Sequence, residues 1–402
     1  MSGSRAKDVW GDVLAEPVAD LRNQPTQLPT FFLFILIPVV TAFPGAGVPI
    51  NELAAVVIVG LSILRPARDL AIPFWAYLGL FGSILAVYFG TFALDVFEVR
   101  RMGHLAVWAG LALVLISGRV HIASAARGMA VSLFAGAALG LAGFNLGNYA
   151  GRLNSYWGDP NAAGFWMLTV GLVSIPFIAS RSRRTILMIV IAVALLLTFS
   201  RTTLAAAVIA GVWLLIGRRL PLALAVGFVG LITYAVNQIP EEAAVYGPFS
   251  GREGSDTLRE AISEQVAYKV FQQPWSGGGA GSARVLVEGD TFFFHNSYLA
   301  VVSEGGYVAL ACILIFLISC FVGLVWLPTR LRSGWMESAL LAMAVVAVSL
   351  GEVWFDLAGA VVFGITAWYL LDARRRRDER TSRGAKGIFE RGEPSGGRHL
   401  RG

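Results

Sequence analysis

The sequence predicts an all-α fold, a polytopic membrane helix bundle of about twelve spans, and three observations carry that prediction. Of the 402 residues, 56% are hydrophobic and 14% charged, against the roughly 25% charged of a soluble domain; the mean hydropathy of +0.67 points the same way. Apolar runs near the ~20 residues that a bilayer crossing needs recur from residue 29 to residue 371. These runs are apolar on every side, as from Ile186 to Phe199, whereas a barrel strand alternates apolar and polar over about ten residues.

The chain begins with a polar stretch holding Arg5, Lys7 and Arg22, which lacks the form of a cleavable signal peptide. Spans are expected near residues 36, 57, 80, 110, 135, 170, 192, 209, 229, 315, 343 and 362, with ends uncertain by about two to four residues. Alternate connections are basic: Arg65 and Arg68; Arg119 and Arg127; Arg181, Arg183 and Arg184; Arg218 and Arg219; Arg330 and Arg332. The positive-inside rule places these connections in the cytoplasm, and an even number of spans brings both termini there. Arg100 and Arg101 fall on the outer side against this pattern, beside Asp95 and Glu98. The expected organisation is a cytoplasmic N-terminal segment (1–28), a transmembrane domain (29–371) and a basic, disordered cytoplasmic tail (372–402). One large external loop (238–294) lies between the ninth and tenth spans. The tail has ten Lys or Arg against five Asp or Glu, a charge that reads as a topological address next to a membrane helix rather than as a nucleic-acid site. Cys312 and Cys320 share one apolar run at about 12 Å along a helix, too far apart for a disulfide. No CxxC motif or Cys/His cluster accompanies them, so they read as small buried hydrophobes and no metal site is expected.

Function is sought on the outer side, in residues 145–159, the turn at Ser200 and Arg201, the long loop, and the turn near Glu352. Loops longer than about fifteen residues are functional or disordered. Thr257, Leu258, Arg259 and Glu260 read as a capping box that starts a helix ending before Pro274, with Leu258, Ile262, Val266 and Val270 as an apolar stripe on the membrane surface or against the bundle. Arg259 would then sit in a first turn that favours anions; it seats a phosphate there, or pairs with Asp256 or Glu264. The glycines of PWSGGGAGS let backbone approach a ligand or reverse the chain, and the P-loop lysine is missing. His295 opens a helical stretch longer than one span requires, expected to break at Gly305 and Gly306. Arg201 stands where two apolar helices meet, either binding a substrate anion or snorkelling to lipid phosphate. Arg152 and Arg252 are further outer-side arginines. Asp159 and Pro160 look like an N-cap and first helical residue, with Asn161 in the first turn. The long loop is otherwise acidic, so an anion there would be held by specific bidentate contacts rather than by general attraction.

Four pieces in order, RLNSYWGDPNAAGFW, LLLTFSRTTLAAA, TLREAISEQVAYKVFQQPWSGGGAG and HNSYLAVVSEGGYVAL, make the sequence resemble the O-antigen ligase and polymerase family over most of its length. The resemblance implies a membrane glycosyltransferase of the bacterial plasma membrane. It would polymerise or ligate glycan from a polyprenyl-diphosphate carrier on the outer face, in cell-surface polysaccharide biosynthesis. It implies that Arg259, Arg201 and His295 handle the lipid diphosphate, with Arg252, in SGRE, equally able to fill the first role. Arg152, Asn161 and Asn296 are expected as substrate contacts. The implied partners are the lipid-linked glycan, a glycan or lipid acceptor, membrane lipid and other envelope biosynthesis proteins; neither metal nor nucleotide cofactor is expected. The bundle alone would equally allow a transporter or flippase of lipid-linked glycan, although no internal repeat of the kind such proteins show is visible.

Overall fold

A backbone inside a membrane has to satisfy its own hydrogen bonds, and the computed structural model of the chain is accordingly 71% helix and 3% strand. It describes residues 19–42, 47–68, 71–149, 151–217 and 253–391, together with Gly227. After a short turn at Ala19–Arg22, the helices are α1 (Leu28–Leu36), α2 (Ile50–Ile63), α3 (Phe74–Ala93), α4 (Val99–Ile116), α5 (Ile122–Leu141), α6 (Pro160–Phe177), α7 (Arg181–Thr198) and α8 (Arg201–Gly217). They continue as α9 (Glu253–Gln272), α10 (Ser297–Val325), α11 (Gly334–Val346) and α12 (Leu357–Arg391). Among the described residues, α3, α4, α5, α6, α10 and α12 are long and apolar enough to cross a membrane, and α2, α8 and α11 are shorter apolar helices. The span expected near residue 229 and loop residues 238–252 lie outside the described residues.

The helix α12 is the axis of the bundle. Its first part, LAGAVVFGITAWYLL, is apolar all round, the pattern of a helix enclosed on all sides, and it is buried on all sides between α4, α10, α11 and α6. Phe363 packs its ring 4.5 Å from Phe316 of α10 and stacks 6.0 Å from Trp354. Cys312 and Cys320 are both free and buried, as expected of them. At one end of the bundle the buried Glu337 takes two bonds from Arg332, at 2.7 and 2.8 Å, and one from the Trp213 indole at 2.8 Å, which ties α8 to α11.

The expected break in α10 falls at Gly306, whose φ of 67° and ψ of −170° interrupt the helix. A Cβ there would lie 2.0 Å from the Trp275 carbonyl oxygen, so only glycine fits. The groups released by the break are met by the glycine-rich turn of the loop. Gly278 N donates to Ser303 O at 2.6 Å, Gly279 N to Glu304 O at 3.0 Å, and Tyr307 N to Trp275 O at 3.2 Å. Of the two roles open to that turn, approach to a ligand or chain reversal, its amides serve a third: they complete a broken membrane helix.

Two expectations for the loop need correction. The helix α9 starts at Glu253, four residues before Thr257, so Thr257 is inside it and no capping box forms there. Arg259 therefore lies beyond the first turn. The fold is also not wholly helical. β1 (Arg284–Val287) and β2 (Asp290–Phe293) form an antiparallel hairpin with Val287 opposite Asp290. Its two-residue turn, Glu288 and Gly289, has φ of 54° and 94°, the left-handed pair that matches strand twist. The α9 stripe packs on this hairpin: Ile262 and Val266 are buried with Val285, Val287 and Phe294. Lys269 straps the two together, donating to Ser282 O at 2.7 Å and Arg284 O at 2.6 Å.

Candidate active site

The ends of α5 and α7 and the starts of α6, α8 and α10 meet on one face, and every described candidate residue lies there. Residues 145–159 form its floor. Asn145 accepts from Asn154 N at 2.8 Å and Ser155 N at 2.9 Å, and Tyr156 donates to Ser132 O at 2.6 Å, so this connection is pinned to α5 rather than loose. Ser155 is buried at φ 47°, a backbone conformation that costs energy outside glycine and is held here by its surroundings. Asp159 caps α6, accepting from Asn161 N at 2.8 Å and Ala162 N at 2.9 Å with Pro160 at the first helical position, as the sequence indicated. Asn161 is therefore fixed in the first turn.

Arg152 donates through Nε to Thr198 O at 2.8 Å, closing the end of α7 where Phe199 turns left-handed. Its guanidinium lies 5.6 Å from the centre of the Tyr149 ring. Arg201 is the first residue of α8, following Ser200, whose hydroxyl bonds Thr203 at 2.9 Å. Arg259 is exposed on α9. His295 follows the hairpin and precedes Asn296, which caps α10 by accepting from Tyr298 N at 3.0 Å and Leu299 N at 3.1 Å. The cap takes the Asn296 side-chain oxygen and leaves its NH2 group for other contacts. Arg252 lies outside the described residues.

Electrostatics join these pieces. Partial burial, and then the charge of Arg259, hold the His295 imidazole below its ordinary value, with Asp159 pulling the other way. Burial, followed by the Asp159 carboxylate through its charge and a hydrogen bond, pushes the Tyr149 hydroxyl up, while Arg152 and Arg259 oppose. Arg259, His295, Asp159, Tyr149 and Arg152 thus share one field. The net push on His295 favours the neutral imidazole, the form that can accept a proton. Asp159, read from the sequence as a cap alone, and Tyr149, not singled out, are the members that sequence reasoning missed; the run of polar residues around NYAGRLNSYWGD was the available signal.

A second polar cluster on the same face was also missed. The buried Glu304 of α10 takes a bidentate pair from Arg101, at 3.0 Å from both Nε and Nη2, and a further 3.0 Å bond from Gly281 N. Arg101 also meets Glu352 at 3.2 Å. His104 lies 2.9 Å from Glu52 and 2.8 Å from Phe355 O, and Arg284 pairs with Glu98. These residues line a cavity of about 290 Å³. Arg101, which stood against the charge pattern of the sequence, is thus paired with acids from α10 and from the turn before α12. Gly351 packs against Phe294 and His295, which puts the turn carrying Glu352 between the cluster and the imidazole.

No curated protein matches the chain. A family model described as O-antigen ligase matches residues 186–314, a stretch that includes Arg201, Arg259, the hairpin, His295 and the break at Gly306 but not the floor formed by residues 145–159. Residues 186–314 are thus similar to an O-antigen ligase domain, and the apolar helices fit a membrane protein.

Proposed function

We propose that the chain is a glycosyltransferase that polymerises or ligates glycan delivered on a polyprenyl diphosphate, acting on the outer face of a bacterial plasma membrane. The topology proposed with it has about twelve spans, both termini in the cytoplasm, a cytoplasmic segment before residue 29, a cytoplasmic tail after residue 371 and the large loop 238–294 outside. Supporting this, Arg65, Arg68, Arg119, Arg181, Arg183 and Arg330 lie at helix ends away from the candidate site, as the positive-inside rule requires of cytoplasmic connections.

In the proposed reaction the lipid stays in the bilayer and the diphosphate lies against Arg259 and Arg201, with Arg152 and Arg252 as further contacts and Asn161 and Asn296 near the sugar. An acceptor hydroxyl attacks the anomeric carbon, the new carbon–oxygen bond forms, and the bond to phosphate breaks with its electron pair leaving on the diphosphate. Arginines offset that charge as it develops, so the scheme calls for neither metal nor nucleotide. His295 accepts the hydroxyl proton. The observation that supports the reading is that His295 lies in the field of both Arg259 and Asp159 where the ends of α5 and α7 meet the starts of α6, α8 and α10; a bound diphosphate pulls the imidazole toward its charged form, so His295 serves either as the base or as a phosphate ligand. The acceptor, whether a second lipid-linked chain or a lipid core, and any envelope partner proteins follow from the same reading.

The test is turnover of a lipid-linked glycan by the purified protein in vesicles. Arg259→Ala and His295→Ala are each expected to abolish most product, while a product ladder marks a polymerase and a single transfer a ligase. Wild-type product from both variants rejects the site. In cells lacking the protein, lipid-linked glycan is expected to accumulate on the outer leaflet; accumulation on the inner leaflet supports a flippase instead.

A further inference from the structure

The helices α5 and α7 both run toward the candidate site, and their other ends, with the start of α1, enclose a groove of about 760 Å³ on the opposite face. At 1.5 Å per residue, Arg127 at the mouth of this groove stands roughly 21 Å before the end of α5 that meets the site.

The groove is two-sided in character. Its mouth is polar, with Arg22, Thr26, Arg127, Ser180 and Arg183 around it, and no Asp or Glu is among its described lining residues. Arg127 holds its place through neutral acceptors alone: Arg22 O at 2.6 Å, the Thr26 hydroxyl at 2.8 Å, Gln24 O at 2.9 Å and Phe177 O at 3.3 Å. Its geometry is satisfied while its charge is not cancelled by any described carboxylate. Arg183, in the first turn of α7, is exposed. Deeper in, the walls are Phe31 of α1, Val131 and Phe134 of α5, and Ile186 and Leu187 of α7. Phe134 lies seven residues beyond Arg127, about 10 Å further along the helix.

A free anion would leave those apolar walls facing water, and a bare hydrocarbon chain would bring no negative group to Arg127 and Arg183. A lipid with a net negative headgroup satisfies both ends, whereas a zwitterionic lipid brings an ammonium for which the lining supplies no acid. We propose that the groove binds one anionic phospholipid, its phosphate against Arg127 and Arg183 and an acyl chain between Val131, Phe134 and Ile186.

The test is native mass spectrometry of the full-length protein in mild detergent, offered phosphatidylglycerol and phosphatidylcholine with identical acyl chains. Wild type is expected to retain one phosphatidylglycerol in preference to phosphatidylcholine. Arg183→Gln should lower that preference about fivefold, the weight of one basic residue at a membrane surface. Val131→Trp, which fills the groove without changing charge, should lower phosphatidylglycerol retention by a similar factor. Equal retention of the two lipids by wild type, or an undiminished preference in both variants, overturns the proposal. It also fails if wild type retains neither lipid and only a variant carrying Asp8→Ser, Asp12→Ser and Glu16→Ser retains phosphatidylglycerol, for then the occupant is the chain's own acidic N-terminal segment. Transfer activity is not measured here, so the outcome is independent of the function proposed above.

Discussion

Arg101 and Arg259 lie on the same face of the bundle and differ in almost every physical respect. Arg101 is 13% exposed and holds a bidentate pair with Glu304 and a second contact with Glu352. Arg259 is exposed on a loop helix, and its charge acts on a histidine and a tyrosine. A buried, paired guanidinium holds structure together, because removing either partner strands a charge. An exposed one such as Arg259 stays in contact with water, so its removal strands no buried charge. The comparison separates two arginines of one face by what surrounds them.

The largest expected effect comes from breaking the buried pair. Glu304→Ala leaves Arg101 with only the more exposed Glu352 and should cost about 3–5 kcal/mol of stability, read as a fall in the thermal midpoint of the purified protein in detergent. Arg259→Ala should change the same midpoint by no more than about 0.5 kcal/mol, as an exposed substitution does. If the two variants melt alike, the division between structural and ligand-binding arginines is wrong.

The converse holds for chemistry. Arg259→Ala should raise the barrier to glycan transfer by about 2–5 kcal/mol, the loss that follows truncating one partner of a charge pair, measured as turnover of the lipid-linked donor. Arg152 stands between the two kinds. Its bond to Thr198 O closes α7, so Arg152→Ala should lower stability by about 1.5–3 kcal/mol, the range for a hydrogen bond to a charged group, and reduce transfer as well. A variant that lost turnover at full stability would move Arg152 into the class of Arg259.

The smallest effect is a displacement in pH. A neutral His295 makes transfer fall as pH drops through its lowered value. Removing the positive charge in Arg259→Ala makes protonation easier, so the acid limb of the residual activity should move to higher pH; Asp159→Asn removes a negative charge and should move it lower. Parallel shifts in the two variants would show that neither charge acts on the imidazole.

Features written in adjacent residues were legible in the sequence. Asp159 and Pro160 announce the start of α6, Gly305 and Gly306 announce the break in α10, and the apolar face of Leu258, Ile262, Val266 and Val270 announces what α9 buries. The errors arose where neighbouring signals compete. Thr257 and Glu260 have the spacing of a capping box, yet the helix already runs from Glu253. The run RVLVEGDTFFF alternates too briefly, and ends in too many phenylalanines, to separate a hairpin from an apolar loop. The chemical types at the candidate site were readable, and so was the order in which they occur. That Arg101 and Glu304 pair was not, because 203 positions separate them and each looks locally like an isolated charge. Nothing near Asp159 indicates that its carboxylate also acts on Tyr149 and His295.

The glycine turn that completes α10 also fixes how the outer loop can behave. Its amides are part of the ladder of a membrane helix, so the hairpin and the end of α9 sit as a cornice built into the wall rather than a flap hung from it. Lifting that cornice would unsatisfy backbone groups at the membrane edge. On the function proposed here, a glycan leaving the enzyme slides along a fixed ledge, and its rate of departure depends on its grip on that ledge rather than on the swing of a door.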